Sequence, residues 1–575
     1  MTIDFNQPET VKSFVLQLRE KDPLSDTAYL LEGCLSIWQA DFFQAKKQLT
    51  PFLKSNNISA KSLHLFFSVL SISPDLAGLK KILTYHNNHL VSVLLRQNLI
   101  AEIPAFLDSV KFFKSSPKKY QAIVGESLVK NLINKAYEKD MLELALYLEN
   151  RYYNEYISRI ETDQTFGLGM NAIKNAASQA GKRLIKQLDI PTPRHHEKQV
   201  VGFFVHSASM LAHISNIHQF LSACSTIDEI EFKPIIYCFS GRNEQFHNAF
   251  SEINVEIVYL DVDGRGQKIS RMKDRFIYLR DLCAHHKITR FVWVCLAVWM
   301  PFAFSLKLAE KQIWWSQKWQ NLSLPEIHTY IFSHGLAPKE RLNGITWHNG
   351  WFQHKKWVSA PQPEKTKEIR QKFIDKVILG TLAREDKLTE KQYLSCVSSI
   401  LKTHRDTVFL WSGRNRLPEV DAFFKNENVL EQTFFIGWVD TNIYAGVFDI
   451  LLDTFPIGNG FTATQAMEMG TPVVIHKSND EFRTMDLILG AMCSTHHCDK
   501  NLVRHLRRIF NFTSSKKGCL YTCAADTNEY VGTANKLIDD IEFRHSVGQA
   551  YRTFVKDFMS NPTASARVFA SHILK

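Results

Sequence analysis

After residue 199 the sequence alternates short apolar, β-branched runs with stretches of helical periodicity, and it does so in two successive series. The first series has strand-like runs at 200–205, 234–239, 255–260 and 290–294, with shorter ones at 313–315 and 329–332. The second has them at 377–379, 408–411, 434–437, 450–453 and 473–476. Strands that alternate with helices pair in parallel, and the helices cover both faces of the sheet. Two proline-bearing polar segments punctuate the chain: Pro191-Thr192-Pro193-Arg194-His195-His196, and Pro361-Gln362-Pro363-Glu364-Lys365. The expectation is an α/β protein with two doubly wound, Rossmann-like units in tandem. Such sheets bind ligands outside the carboxyl ends of their strands, so two of them define a cleft with a site on each side.

The first 185 or so residues read differently, with apolar residues recurring at three and four, as in Tyr29, Leu30, Leu31, Cys34 and Leu35. The stretch AYLLEGCLSIWQADFFQAKKQL has the texture of a helical hairpin turning at Ala40-Asp41, with no second copy at a fixed period. The predicted organisation is an all-α domain over 1–190, a first unit over 191–362, and a second unit over 363–575 that carries the C-terminal helices.

Composition narrows the class. Hydrophobic residues make up 45% and charged residues 22% of 575, which excludes a disordered, collagen-like or coiled-coil chain. The net charge of +11 is spread thinly, with no dense Lys/Arg arm, so no nucleic-acid partner is expected. The ten cysteines lie mostly in apolar runs such as that around Cys238, where a thiol acts as a small hydrophobe. The N-terminus has neither the cationic start nor the apolar core of a secretory signal. The longest apolar run, 291–306, contains Pro301 and falls short of the roughly 20 residues of a membrane span. It reads as a buried strand entering a helix. The expectation is a cytoplasmic protein without stable membrane insertion.

The chemistry concentrates in DILLDTFPIGNGFTATQAMEMGTPVVIH, residues 449–476. A buried strand runs into a turn, and a helix follows from about Phe461. Gly458 and Gly460 let the backbone approach an anion, and the helix N-terminus offers free N–H groups and the positive end of its dipole. Thr462 and Thr464 carry hydroxyls, and Gln465 lies one turn along, within reach of a ribose hydroxyl. This pattern suits the diphosphate of a nucleotide sugar. A second loop follows the first strand of the same unit, at 380–389. There Lys387 offers an ammonium to a leaving diphosphate and Arg384 a planar bidentate contact, while Thr389 is expected to cap a helix beginning at Glu390. In the first unit, His206 follows a strand and His213 lies about two turns later. An imidazole there can act as general base or orient an acceptor. His334 and His348 are lesser candidates in a flanking loop.

No metal site is expected. Asp261-Val262-Asp263 reads as a strand-end turn before Gly264, and the spacing of Cys493, His496, His497 and Cys498 suits a zinc tetrahedron poorly, as do Cys519 and Cys523.

LLDTFPIGNGFTATQAMEMGTPVV resembles the donor-binding motif of the O-GlcNAc transferase/SPINDLY group, and its core, residues 455–459, is similar to that of the bacterial cytoplasmic N-glycosyltransferases that glucosylate adhesins. HSASMLAH at 206–213, the Met272-Lys273 helix leading to 299–306, and Lys387-Leu388-Thr389 resemble the bacterial enzymes as well. The resemblance implies a GT-B fold and a metal-independent hexosyltransferase without cofactor. The implied donor substrate is a nucleotide sugar, UDP-glucose. The implied acceptor is a protein or glycoprotein, such as an adhesin, modified at an Asn, Ser or Thr side chain or at a sugar already attached. By residue, it implies that Lys387 and Asn459 bind the donor diphosphate and that His206 and His213 line the acceptor side. There are departures. Gln465 stands where an acid is usual, and Ile457 where the first of the paired glutamates of many retaining GT-B enzymes would be. The Asn-Gly pair is spaced differently from that of the bacterial enzymes. A UDP-sugar 2-epimerase and a non-catalytic adhesin-binding protein share the same architecture.

Overall fold

The computed structural model describes residues 7–72, 76–96, 99–100, 103–104, 126–154, 163–188, 190–191, 199–209, 212–316, 322–332, 339–342, 344–349, 363–456, 458–459, 461–476, 523–524, 526–553 and 562–574. Two sheets organise the chain. The first contains β1 (Val200–Val205), β2 (Lys233–Cys238), β3 (Glu256–Tyr259), β4 (Arg290–Val294), β5 (Lys311–Ser316), β6 (Thr329–Phe332), β7 (Lys339–Leu342) and β8 (Ile345–Asn349). Their order is β3-β2-β1-β4-β5-β6-β8-β7, parallel throughout except that β7 runs antiparallel to β8. The second sheet contains β9 (Val377–Thr381), β10 (Thr407–Trp411), β11 (Thr433–Phe435), β12 (Ile450–Leu452), β13 (Val473–His476) and β14 (Cys523–Ala524), in the parallel order β11-β10-β9-β12-β13-β14.

The apolar runs become inner strands because both faces are covered. RFVWV of β4 and TVFLW of β10 are buried at every position. Gly380 in β9 is needed for packing, since a side chain there would run into the ring of Phe448. The sequence runs anticipate these strands to within a residue or two. The run at 434–437 ends earlier as a strand, at Phe435, because the chain turns at Gly437 with φ 75°. The edge strands β7 and β14, and β8 beside β7, have no counterpart among the sequence runs. KERL of β7 is polar, and β14 is only two residues long.

Most of the described residues between 8 and 188 are helical, including the expected hairpin of Asp26–Trp38 and Phe42–Lys54, which turns through Ala40 at φ 59° with Asp41 accepting from the Gln44 amide. This domain is not a separate body. One continuous apolar core runs from Val11 through Tyr137 and Ala180 to Trp293 and Trp347, joining the helices to one face of the first sheet. The long helix Asp163–Leu188 lies against the short helix Met300–Ser305, where Ser178 Oγ donates to Pro301 O at 3.2 Å. The second sheet has its own core, centred on Leu379, Leu410, Leu451 and Val474.

One helix departs from the expected grouping. Pro562–Leu574 was assigned with the second unit, but it packs on the first, against helix Ala212–Cys224. Its apolar face decides this: Phe569 meets Trp315 at 4.3 Å and Phe220 at 4.6 Å, and Ala566, Ala570 and Ile573 are buried with it. The helix expected from about Ser209 begins at Ala212. Asp261–Asp263 forms the expected turn, in which Asp263 Oδ1 accepts the amides of Arg265 and Gln267. Among the described residues, no group of His, Cys, Asp and Glu could hold a metal ion, and no helix is long and apolar enough to cross a membrane. Among the described residues, Cys34, Cys224, Cys238, Cys283 and Cys396 form no disulfide. His334, residues 493–500 and Cys519 lie outside the described residues.

Candidate functional site

Both sheets reverse their strand order at one place, between β1 and β4 in the first and between β9 and β12 in the second. Chain leaving such a pair of strands departs in opposite directions, which opens a crevice at their carboxyl ends. In the second sheet, the loops that border this crevice are the two singled out from the sequence.

The loop after β9 tightens into one helical turn, Glu385–Leu388, and the loop after β12 leads into helix Phe461–Met469. They are sewn together. The Lys387 ammonium donates to the carbonyl of Gly458. Asn459 Nδ2 donates to Thr381 Oγ1 at 2.9 Å, and Thr462 Oγ1 donates to Leu382 O at 3.1 Å. Within the second loop, the Asn459 amide donates to Asp453 Oδ1 at 2.6 Å, and Thr454 Oγ1 donates to Asn459 Oδ1 at 3.1 Å. Asp453 and Thr454 are buried, and the Tyr530 hydroxyl holds Asp453 O at 2.9 Å. Beneath the loop, Phe455 stacks on His476 at 4.2 Å and meets Tyr393 and Tyr530 edge-on.

Several side chains play parts other than those expected. The Asn459 side chain bonds Thr381 and Thr454, so it also shapes the loop. The Thr462 hydroxyl points at two protein carbonyls, Leu382 O and Asn459 O. Thr389 does not cap a following helix. It closes the turn Glu385–Leu388, and Glu390 stands at the N-cap of Lys391–Thr403. The reason is local: the Lys387 amide bonds back to Arg384 O, which draws the loop into a helical turn. Arg384 is exposed at the head of that turn, Lys387 is half-buried, and Gln465 Oε1 is buried with no hydrogen-bond partner among the described residues. Gly460 lies outside the described residues.

Three residues of this site were missed. Asp453 and Thr381 end their strands as polar residues after apolar runs, which was the available signal. Glu385 had none. Its carboxylate accepts the Asn415 amide at 2.7 Å and so ties the Lys387 turn to the loop after β10. Burial alone would raise the Glu385 pKa, but the amides of Glu385, Asn415 and Arg414 and the Arg414 charge outweigh it and hold the carboxyl below its ordinary value.

In the first sheet the reversal point is lined with rings. His206 follows β1, and Trp299 lies on the loop after β4. The His206 ring lies 6.0 Å from Phe239 and 5.3 Å from Trp299. The residue is exposed to solvent, with its ring nearly parallel to that of Phe239 and tilted to that of Trp299. Arg275 donates to Phe239 O at 3.0 Å and Ile269 O at 2.8 Å, close to the imidazole. Burial first, and the Arg275 charge second, lower the His206 pKa, so the ring is neutral at neutral pH. His213 is the second residue of helix Ala212–Cys224 and is half-buried. His348 belongs to β8 near the sheet edge, with its ring 4.5 Å from that of His572.

No protein-family model and no curated protein matches the sequence. Solved structures do. A mutant of the Thermobaculum terrenum O-GlcNAc transferase superposes with a TM-score of 0.51 at 12% identity, over 95% of this chain and 96% of that one.

The fold is GT-B.

Two further GT-B structures match less of the chain. Anabaena Alr3699/HepE in complex with UDP and glucose has 11% identity and a TM-score of 0.44, over 65% of this chain and 98% of its own. A putative UDP-N-acetylglucosamine 2-epimerase from Listeria monocytogenes has 13% identity and a TM-score of 0.38, over 66% and 95%.

Proposed function

We propose that the protein is a glycosyltransferase that moves a hexose from a UDP-sugar to a protein-borne acceptor. The observation that carries this reading is the junction at the second reversal point, where Lys387 meets Gly458 at the head of helix Phe461–Met469. An ammonium and a helix N-terminus at one spot form a site for a diphosphate. Lys387 has further N–H donors to offer beyond the one given to Gly458. As the bond from the sugar C1 to the phosphate oxygen breaks, negative charge grows on the departing UDP, and these groups stabilise it. Arg384 stands at the rim as a second cation. The unpaired acceptor Gln465 Oε1 suits a ribose hydroxyl.

On the other side, neutral His206 takes the proton from the acceptor as its oxygen or nitrogen bonds to C1. Lys387 and the helix terminus supply the positive charge for the diphosphate, so the reading needs no metal. The motif resemblance to the adhesin-modifying enzymes supports glucose as the sugar and a protein or glycoprotein as the acceptor. A helical domain fused to the acceptor-side sheet suits a macromolecular acceptor better than a free sugar nucleotide.

The test is incubation of candidate acceptor proteins, bare and pre-glucosylated, with a panel of UDP-sugars, read by mass spectrometry of the acceptor and by UDP release. The expected result is a hexose mass increment that persists in EDTA. Conversion of the UDP-sugar to its epimer without acceptor would overturn the reading, as would failure to bind UDP.

A further inference from the structure

We propose that Glu149 of the helical domain is a positioning residue for the acceptor side: it fixes the loop that carries Trp299, and the Trp299 indole sets the orientation of His206. What His206 does there rests on the transferase reading, but the positioning does not.

Glu149 lies on helix Leu142–Tyr152 and is fully buried. A buried carboxylate is costly unless its oxygens are satisfied. Both are. Oε2 accepts the Tyr137 hydroxyl at 2.5 Å, and Oε1 accepts the backbone amide of Trp299 at 2.6 Å, across 150 residues of sequence. Burial, the largest influence, pushes the carboxyl up to about 7, with Tyr137 and Trp299 pulling it down.

Trp299 is the N-cap of helix Met300–Ser305 and sits in the left-handed region at φ 62°. A small polar residue is the ordinary occupant of an N-cap, because its own side chain accepts from the first turn. Trp299 cannot serve in that way. The contact made here is a different one: Glu149 of the helical domain accepts the amide of the N-cap residue itself, as the N3 Glu or Gln of a capping box would, and so holds the backbone at position 299. The residue is held at its other end too: the indole N–H donates to Leu146 O at 2.8 Å, on the same helix as Glu149. With both ends fastened, the indole packs against His206 at 5.3 Å, Phe239 at 5.0 Å and, edge-on, Phe276 at 5.7 Å. The helical domain therefore builds one wall of the imidazole's surroundings.

The experiment uses the full chain with isotope-labelled histidine, and His206 is assigned by the loss of its signals in His206→Gln. Ring-current shifts from Trp299 make the His206 ring protons a direct reporter of the geometry. In Glu149→Leu, which removes both acceptors, these resonances move, and the His206 titration midpoint rises as the ring becomes better hydrated. Tyr137→Phe gives smaller changes in the same direction and serves if Glu149→Leu folds poorly. In the transfer assay, kcat falls by roughly 10- to 100-fold while KM for the donor is unchanged. Unchanged His206 resonances in a folded variant overturn the proposal, whatever happens to stability. Shifted resonances in a protein that transfers no sugar uphold the positioning and refute the transferase reading instead.

Discussion

The two reversal points solve the same problem from different sources. In each, the loop after the strand beyond the reversal has a backbone amide seated on a buried carboxylate. In the second sheet the acid is Asp453, at the end of β12 itself, holding the amide of Asn459 six residues on. In the first it is Glu149, supplied by a helix of another domain. The second site is lined by polar groups, Thr381, Lys387, Asn459 and Thr462, while the first is lined by the rings of His206, Phe239 and Trp299. A self-contained polar loop suits a small charged ligand that is the same in every turnover. A loop propped from outside couples its geometry to whatever the helical domain holds.

The sharpest way to break this contrast is Lys387→Ala. With far-ultraviolet circular dichroism unchanged, kcat is expected on the proposed reading to fall by about 1,000-fold, since the variant lacks the cation assigned to the leaving diphosphate. Loss of less than tenfold would remove the second reversal point from the chemistry. Next comes His206→Ala, with an expected fall of about 100-fold in kcat/KM for the acceptor and unchanged UDP affinity by calorimetry.

The wild-type pH profile carries a sign. Burial and Arg275 lower the His206 pKa, so activity should persist through the ordinary histidine range and be lost only below it, as the ring protonates. Arg275→Met removes a positive charge from the neighbourhood, so its acid limb should move to higher pH. An acid limb that stays where it was would detach Arg275 from His206.

Smaller effects test the loop-holding roles. Asp453→Ala leaves the Asn459 amide without its acceptor, at a cost of about 1–3 kcal/mol in stability, and should weaken UDP binding with little change at the His206 side. Asn459→Ala should act in the same direction, by about tenfold in UDP affinity. Smallest is a pH effect on folding. Glu149 has a folded pKa of about 7, above the model-peptide carboxyl range near 4.3, so the stability it contributes is full at acid pH and is lost as pH rises toward 7. Glu149→Gln should flatten that slope in denaturant titrations at pH 5 and pH 8. A parallel pair of slopes would contradict the buried ionisation.

Most of the fold was legible because inner strands of a doubly wound sheet are short, apolar on both faces and regularly spaced. The edge strands β7 and β14 escaped, since a polar run such as KERL is indistinguishable from a loop until a neighbour pairs with it. The second reversal point was legible for the same reason that it is self-contained: strand, glycine turn, helix and lysine loop all belong to one unit with conventional punctuation. What the sequence did not disclose is the inward use of its side chains. Asn459 and Thr462 look like ligand contacts when read as a list of polar residues, yet their partners are Thr381, Thr454 and Leu382. The first reversal point was legible only at His206. Nothing near Glu149 announces a partner 150 residues away, and a tryptophan in an apolar run reads as core.

The return of the last helix to the first sheet makes the second core an insertion within the first. Pro562–Leu574 covers rings that belong to elements more than 200 residues earlier in the chain. Truncation before Pro562 should therefore uncover Phe220 and Trp315 and loosen the first sheet, while the separate core around Leu379, Leu410, Leu451 and Val474 keeps its own cooperativity.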